Sequence, residues 1–293
     1  MTIVDGKADT VATLGARIPP HAYFVGSAIF HYLGPSFAVL LFARVAVGGV
    51  AWLRIVSAAA IFALWRKPWR AFSASSRDAQ LTVAALGAVF AAMNYVFYLA
   101  IDRLPLGTVA AIEFVGPVLL ALAGSRTPRN IAALVFAAVG VRLLIDVRSG
   151  GDPIAFVWAF ANAALFMLYI VLAHRVANAD PGIGPIDRLG AAMLIAAVVV
   201  TPLGFADALP ALGDPLAIAA GVGVGISSSV IPYIFDQLAM ARLPRATYAL
   251  FLSILPATAA VIGMLVLQQV PTVLERAGIA LVAIAVALHR PAR

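Results

Sequence analysis

Apolar runs of roughly 20 residues follow one another along almost the whole chain, each closed by a short polar or proline-bearing break, and a run of that length spans the ~30 Å hydrocarbon layer as a helix. The runs are apolar all round, whereas the strands of a membrane barrel would alternate polar and apolar residues. Of the 293 residues 63% are hydrophobic and only 11% charged, far outside the balance of a soluble domain. Reading runs and breakers predicts an all-α membrane protein with ten transmembrane helices, near 21–42, 47–65, 79–101, 106–125, 130–147, 153–174, 187–206, 214–241, 246–268 and 272–289. Lys67-Pro68, Ser125-Arg126-Thr127-Pro128, Gly150-Gly151-Asp152-Pro153 and Asp180-Pro181-Gly182 punctuate them.

The chain also repeats itself. Arg103-Leu104-Pro105-x-x-Thr108 returns as Arg242-Leu243-Pro244-x-x-Thr247, and Pro117 and Pro256 lie nine residues beyond the two threonines, all at one offset of 139 residues. Tyr95-x-Phe97 and Tyr233-x-Phe235 precede the two copies, one residue out of register. Five spans per copy is an odd number, so the second copy enters the bilayer upside down. A 5+5 inverted repeat is the architecture of secondary transporters. It divides the chain into an N-terminal tail (1–20), a first repeat (21–148) and a second (153–290).

Lys and Arg gather in cytoplasmic loops. With the tail inside, fourteen basic residues fall on inner segments and four (Arg44, Arg103, Arg148, Arg276) on outer ones, while Arg54 and Arg142 lie within spans, which accounts for all 20. Both termini are therefore expected in the cytoplasm. The +7 charge is read as a topology signal rather than as affinity for nucleic acid. The first 20 residues carry Asp5, Lys7, Asp9 and Arg17 without an apolar core, so no cleavable signal peptide is expected. Cysteine is absent. No His-Glu-x-x-His, Gly-x-Ser-x-Gly or phosphate loop occurs, so neither an enzyme, a metal site nor a cofactor is expected.

Polar residues within spans are costly and are candidate sites by default. Glu113 lies about eight residues into span four, ~12 Å deep, and Pro117 one turn later frees a carbonyl beside it. A carboxylate there could hold a substrate ammonium or carry a proton, or serve as a structural ion pair. His31 and Tyr32 lie mid-way along span one with Pro35, and Asn94, Tyr95 and Tyr98 share one side of span three. Trp158, Asn162 and Tyr169 share a face of span six, and Ser228, Tyr233 and Gln237 lie on span eight with Pro232. Aromatic rings beside amides and hydroxyls suit a pocket for a zwitterion with an apolar side chain. Each is also, taken singly, the kind of group that makes a helix-packing hydrogen bond. Pro35, Pro117, Pro232 and Pro256 are candidate hinges that let two halves close alternately, with the Arg-Leu-Pro turns beside the gates. Asp236 reads as an interfacial partner of Arg242, and Arg54 as a side chain reaching back to the interface. Gly221-x-Gly223-x-Gly225 has no strand before it and reads as close helix packing.

Several stretches together resemble the EamA group of the drug/metabolite transporter superfamily, and within it bacterial amino-acid exporters of the YddG and threonine/homoserine kind. These are Leu53-Arg54 with Lys67-Pro68-Trp69-Arg70, Ile112-Glu113-Phe114-x-Gly116-Pro117, Ile231-Pro232-Tyr233, Ala241-x-Leu243-Pro244-x-x-Thr247 and Leu252-Ser253-x-Leu255-Pro256-x-x-Ala259-Ala260. Such exporters often carry Glu where this chain has Leu255, and Gly-Glu where it has Gln268-Gln269, which leaves Glu113 as the main deep carboxylate. The resemblance implies a basket-like bundle with a central cavity, multi-pass in the bacterial inner membrane, exporting aromatic or threonine/homoserine-type amino acids and related metabolites, as a monomer or a homodimer. One alternative is a multidrug or cationic-compound exporter of the same fold, exchanging protons at Glu113. Another is a sugar-nucleotide or lipid-linked carrier, for which only Arg54 and Arg142 could hold phosphates.

Overall fold

A computed structural model describes residues 19–124, 127–147, 152–179, 185–240 and 252–288, and among these the regular structure is entirely helical. The helices are α1 (Pro20–Leu41), α2 (Val47–Arg66), α3 (Trp69–Ala74), α4 (Arg77–Ile101), α5 (Leu106–Glu113), α6 (Val115–Gly124), α7 (Pro128–Val147), α8 (Pro153–Ala179), α9 (Pro185–Leu212), α10 (Pro215–Gly225), a π-helical turn (Ile226–Val230), α11 (Ile231–Met240), α12 (Leu255–Leu267) and α13 (Val273–Leu288). Without water, backbone polar groups must be satisfied inside the segment, which is why apolar runs of this length become helices. Seven stretches are long and apolar enough to cross a bilayer: His21–Leu41, Val47–Arg66, Arg77–Ile101, Pro128–Ile145, Pro153–Ala173, Ile186–Leu212 and Pro215–Asp236. The other three predicted spans are shorter. Span four is divided at Phe114, span nine is described only from residue 252, and span ten is the 16-residue α13.

Helix starts follow from capping chemistry. Proline opens α1, α7, α8, α9 and α10, where its missing N–H costs nothing. Ser76 accepts from Ala79 N at 3.3 Å, and Asp214 from Leu216 N at 2.9 Å. Thr272 and Glu275 form a reciprocal box at the start of α13, with Glu275 N donating to Thr272 Oγ1 at 3.2 Å and Thr272 N donating to Glu275 Oε2 at 2.8 Å. Helix α3, between spans two and three, is an addition to the sequence reading, which left those residues as a loop.

The helices pack in antiparallel pairs. At one end of α2, Arg44 lies 3.9 Å from Asp214 beyond α9, and at the other Arg66 binds Asp187 at the start of α9 at 2.8 Å. Helices α7 and α13 cross at two glycines: a Cβ on Gly140 would sit 2.8 Å from the carbonyl oxygen of Gly278, and one on Gly278 2.8 Å from that of Gly140. A Cβ on Gly221 would run into Leu53 and one on Gly225 would lie 2.8 Å from Arg54 O, while Gly223 faces open space, so two of the three glycines read as packing residues do pack. The outside of the bundle is apolar, with Val198 73% and Leu265 69% exposed, while Ser27, Arg54, Asn94, Asn162 and Ser227 to Ser229 are buried. That distribution inverts the soluble pattern and suits lipid.

Candidate functional site

A buried polar cluster forms where α1, α2, α4, α8 and the π-helical turn meet, and its central group is one the sequence reading misplaced. Arg54 does not reach the interface: it turns inward and is 5% exposed. Its Nε donates to Ser229 Oγ at 3.0 Å and its Nη2 to the Ser228 carbonyl at 3.2 Å. Its guanidinium lies over the Tyr98 ring, 5.3 Å from the centroid. The Ser228 carbonyl is available because Pro232, four residues on, has no N–H to offer it. Pro35 and Pro117 stand four residues beyond His31 and Glu113 and free their carbonyls in the same way. The π-helical turn itself displaces Ser228 and Ser229 from a regular helix, a feature frequent at functional sites.

Glu113 is the last residue of α5, beside the break at Phe114. Its carboxyl neighbours Asn162 and lies within electrostatic reach of Arg54, Tyr32 and Tyr233. Asn162 is fully buried and neither of its amide atoms has a hydrogen-bond partner. Tyr98 Oη, Ser228 Oγ and Arg54 Nη1 are buried and unpartnered as well. The five orphaned atoms belong to four residues around one hollow.

A second polar group joins it. Ser27 Oγ donates to Asp236 Oδ1 at 2.5 Å and lies 3.4 Å from His31 Nδ1, itself 3.9 Å from Asp236 Oδ2. A proton on His31 Nδ1 completes a relay through the Ser27 hydroxyl to the carboxylate. Asp236 is therefore turned into the bundle, which corrects its reading as a purely interfacial residue, and Arg242 lies outside the described residues. The His31 ring packs against Tyr233 at 5.6 Å and Tyr32 at 6.4 Å; Tyr233 packs on Phe90 at 5.4 Å. Tyr169 joins them through Phe90 at 6.0 Å and a stacked Phe166 at 6.2 Å.

Three candidates stand apart. Asn94 Nδ2 donates to Phe90 O at 2.8 Å within its own helix. Tyr95 lies at the α2–α4–α9 contact, where its hydroxyl would be 3.2 Å from a Cβ on Gly48 and Asp207 is close by. Trp158 packs with the apolar core. Gln237 is on α11, and its side chain is outside what is described. Among the hinge candidates, Pro117 lies just after the break at Phe114, Pro256 in the first turn of α12, Pro232 directly after the π-helical turn and Pro35 inside α1.

The first Arg-Leu-Pro turn lines a cavity of about 270 Å³ shared with Thr108, Ala260, Gln269 and Glu275. Gln269 Oε1 accepts from Leu106 N at 3.0 Å, and Arg103 pairs with Asp152. The second turn falls outside the described residues. Ser27 is missed in sequence, and Arg54 is read there as reaching the interface. A charge about seven residues into a span was a signal for Arg54, but its stem is long enough for either direction.

Residues 153–289 match the EamA-like transporter family. The chain is 34% identical over 245 residues to the threonine/homoserine exporter RhtA of Escherichia coli strain K12, covering 83% of this chain and 81% of that protein. RhtA of Salmonella typhimurium strain SL1344 is also 34% identical, over 242 residues, 82% of this chain and 80% of that protein. A crystal structure resembles the fold with a TM-score of 0.59 at 17% identity, across 92% of this chain and 96% of its own. With its apolar exterior, buried polar hollow and this likeness, the chain belongs to the EamA-like transporter family of multi-pass membrane carriers.

Proposed function

We propose that this protein exports amino acids from the cytoplasm across the bacterial inner membrane, with threonine and homoserine as the leading substrates and aromatic amino acids next. The observation that carries the reading is the likeness to RhtA over four-fifths of both chains. The hollow supports it chemically: Glu113 and Asn162 can receive an ammonium, and serines and tyrosines a hydroxylated side chain. The same fold working on cationic drugs fits less well, because a buried Arg54 within reach of Glu113 repels a cation. The test is purified full-length protein in liposomes loaded with labelled threonine, homoserine or phenylalanine. Efflux of the first two above protein-free liposomes is expected; folded protein that moves none of the three sinks the reading.

The proposed architecture is ten spans in two inverted halves, 21–148 and 153–290, that rock about the hollow with both termini cytoplasmic. The helix pairing supports it. Spans two and seven (α2, α9) and spans five and ten (α7, α13) pair with their own counterparts, and the contact of spans three and six (α4, α8) matches that of spans eight and one (α11, α1) when the halves are exchanged. The breaks at Phe114 and ahead of Pro256 occupy corresponding places in the two copies. Opening and closing at these prolines would expose the hollow to each side in turn, with the cavity beside Arg103 as the outer vestibule.

A further inference from the structure

We infer that Arg54, Tyr98 and Ser228 form a receptor for the substrate's carboxylate, opposite an ammonium pole at Glu113 and Asn162. The inference rests on the amino-acid export proposed above and deepens it. A guanidinium has five N–H groups in a planar fork. In Arg54, Nε and Nη2 are held by the serines of the π-helical turn, which fixes the plane and leaves Nη1 free, buried and unpartnered. Tyr98 Oη lies beside both the guanidinium and Ser228, yet bonds to neither. Three unpartnered donors therefore gather at one point, where an anionic oxygen would satisfy them with charge-assisted bonds. Gly34 lets α1 approach this point, since any Cβ there would clash with Ser228 Oγ.

Arg54 and Glu113 feel each other's charge, but neither makes an ion pair among the described residues. Opposite charges that influence each other without an ion pair offer one pole each to a dipolar molecule. A zwitterion satisfies both poles at once; a drug cation or a phosphate satisfies one and opposes the other. The site thus selects molecules with a free carboxylate and a free ammonium.

Three probes separate the poles: threonine, threoninol (no carboxylate) and 3-hydroxybutyrate (no ammonium). Their binding to detergent-purified full-length protein is measured by calorimetry, beside threonine efflux from liposomes. Wild type is expected to bind threonine at least 10-fold more tightly than threoninol. Tyr98→Phe removes a hydroxyl that has no partner, so a purely structural role predicts no change. The carboxylate receptor predicts binding of threonine and 3-hydroxybutyrate weakened about 5-fold or more, with threoninol within 2-fold. Arg54→Lys is expected to act in the same direction and more strongly; if it does not fold, Tyr98→Phe and Ser228→Ala carry the test. Equal binding of threonine and threoninol by wild type, or equal losses for all probes in Tyr98→Phe, overturns the receptor. Carboxylate-selective binding without efflux of any amino acid leaves the receptor standing and removes the export reading instead.

Discussion

Arg54 and Glu113 are charged groups well inside spans, and each costs several kcal/mol there unless it works for its place. Their neighbours give them different tasks. Arg54 is tied to the π-helical turn by two hydrogen bonds, so removing it also loosens that turn. Glu113 has only the unpartnered Asn162 amide beside it, so Glu113→Gln keeps size and polarity while deleting the charge. An ammonium–carboxylate hydrogen bond is worth about 1.5–3 kcal/mol, which predicts a 10-fold or greater drop in kcat/KM for threonine efflux with the thermal midpoint held or raised. A variant that transports at the wild-type rate removes Glu113 from the ammonium pole. Much of this site is legible residue by residue in the sequence: His31, Tyr32, Tyr98, Glu113, Asn162, Ser228 and Tyr233 are named by one rule, that polar groups in apolar spans need a reason. That rule cannot give direction. Tyr95 and Tyr98 are three residues apart on one helix side, yet one meets Asp207 and the other Arg54, because the rotation of α4 is set by its packing on α8 and α9.

At the scale of elements, hydrophobic run length placed α2, α4 and α8 within a few residues of their starts; Ser76 and Pro153 mark the boundaries of α4 and α8, while α2 begins after Ala46 without a side-chain cap. The interruptions were harder to see. At the π-helical turn Pro232 frees the Ser228 carbonyl, which Arg54 of α2 then satisfies, and that partner is far away in sequence. If the breaks are hinges, Pro117→Ala and Pro256→Ala stiffen them. Turnover in threonine efflux is expected to fall several-fold in each, with KM within 2-fold; unchanged turnover in both assigns the prolines to packing alone. The α7–α13 crossing depends on close approach at Gly140 and Gly278. Gly140→Ala and Gly278→Ala each force a Cβ to 2.8 Å from a backbone oxygen. A cost of about 1–3 kcal/mol is expected for each, seen as similar drops in the thermal midpoint. A midpoint that stays put in either variant means the helices can separate freely.

The inverted arrangement proposed for the whole molecule has a direct test at its exposed ends. One end of the bundle gathers Arg44 with Asp214 and Arg103 with Asp152, and the opposite end gathers Arg66 with Asp187. Under the inverted arrangement the first end is extracellular and carries the turn at 103, while the turn at 242 lies on the cytoplasmic side with most of the basic residues. The chain has no cysteine, so a single introduced thiol reports its own position without background. Asp102 is exposed beside the first turn and makes no contact needed by the hollow, which makes Asp102→Cys a mild change; Arg242→Cys is its counterpart. In intact cells a membrane-impermeant maleimide should label Asp102→Cys at once and Arg242→Cys only after the membrane is opened. A thiol at 290 should behave like the one at 242, because the proposed arrangement puts both on the cytoplasmic side. Labelling of 102 and 242 from the same side would leave the repeats parallel. A hollow shared between two parallel halves has no reason to open alternately, so the rocking motion would fall with the symmetry that generates it.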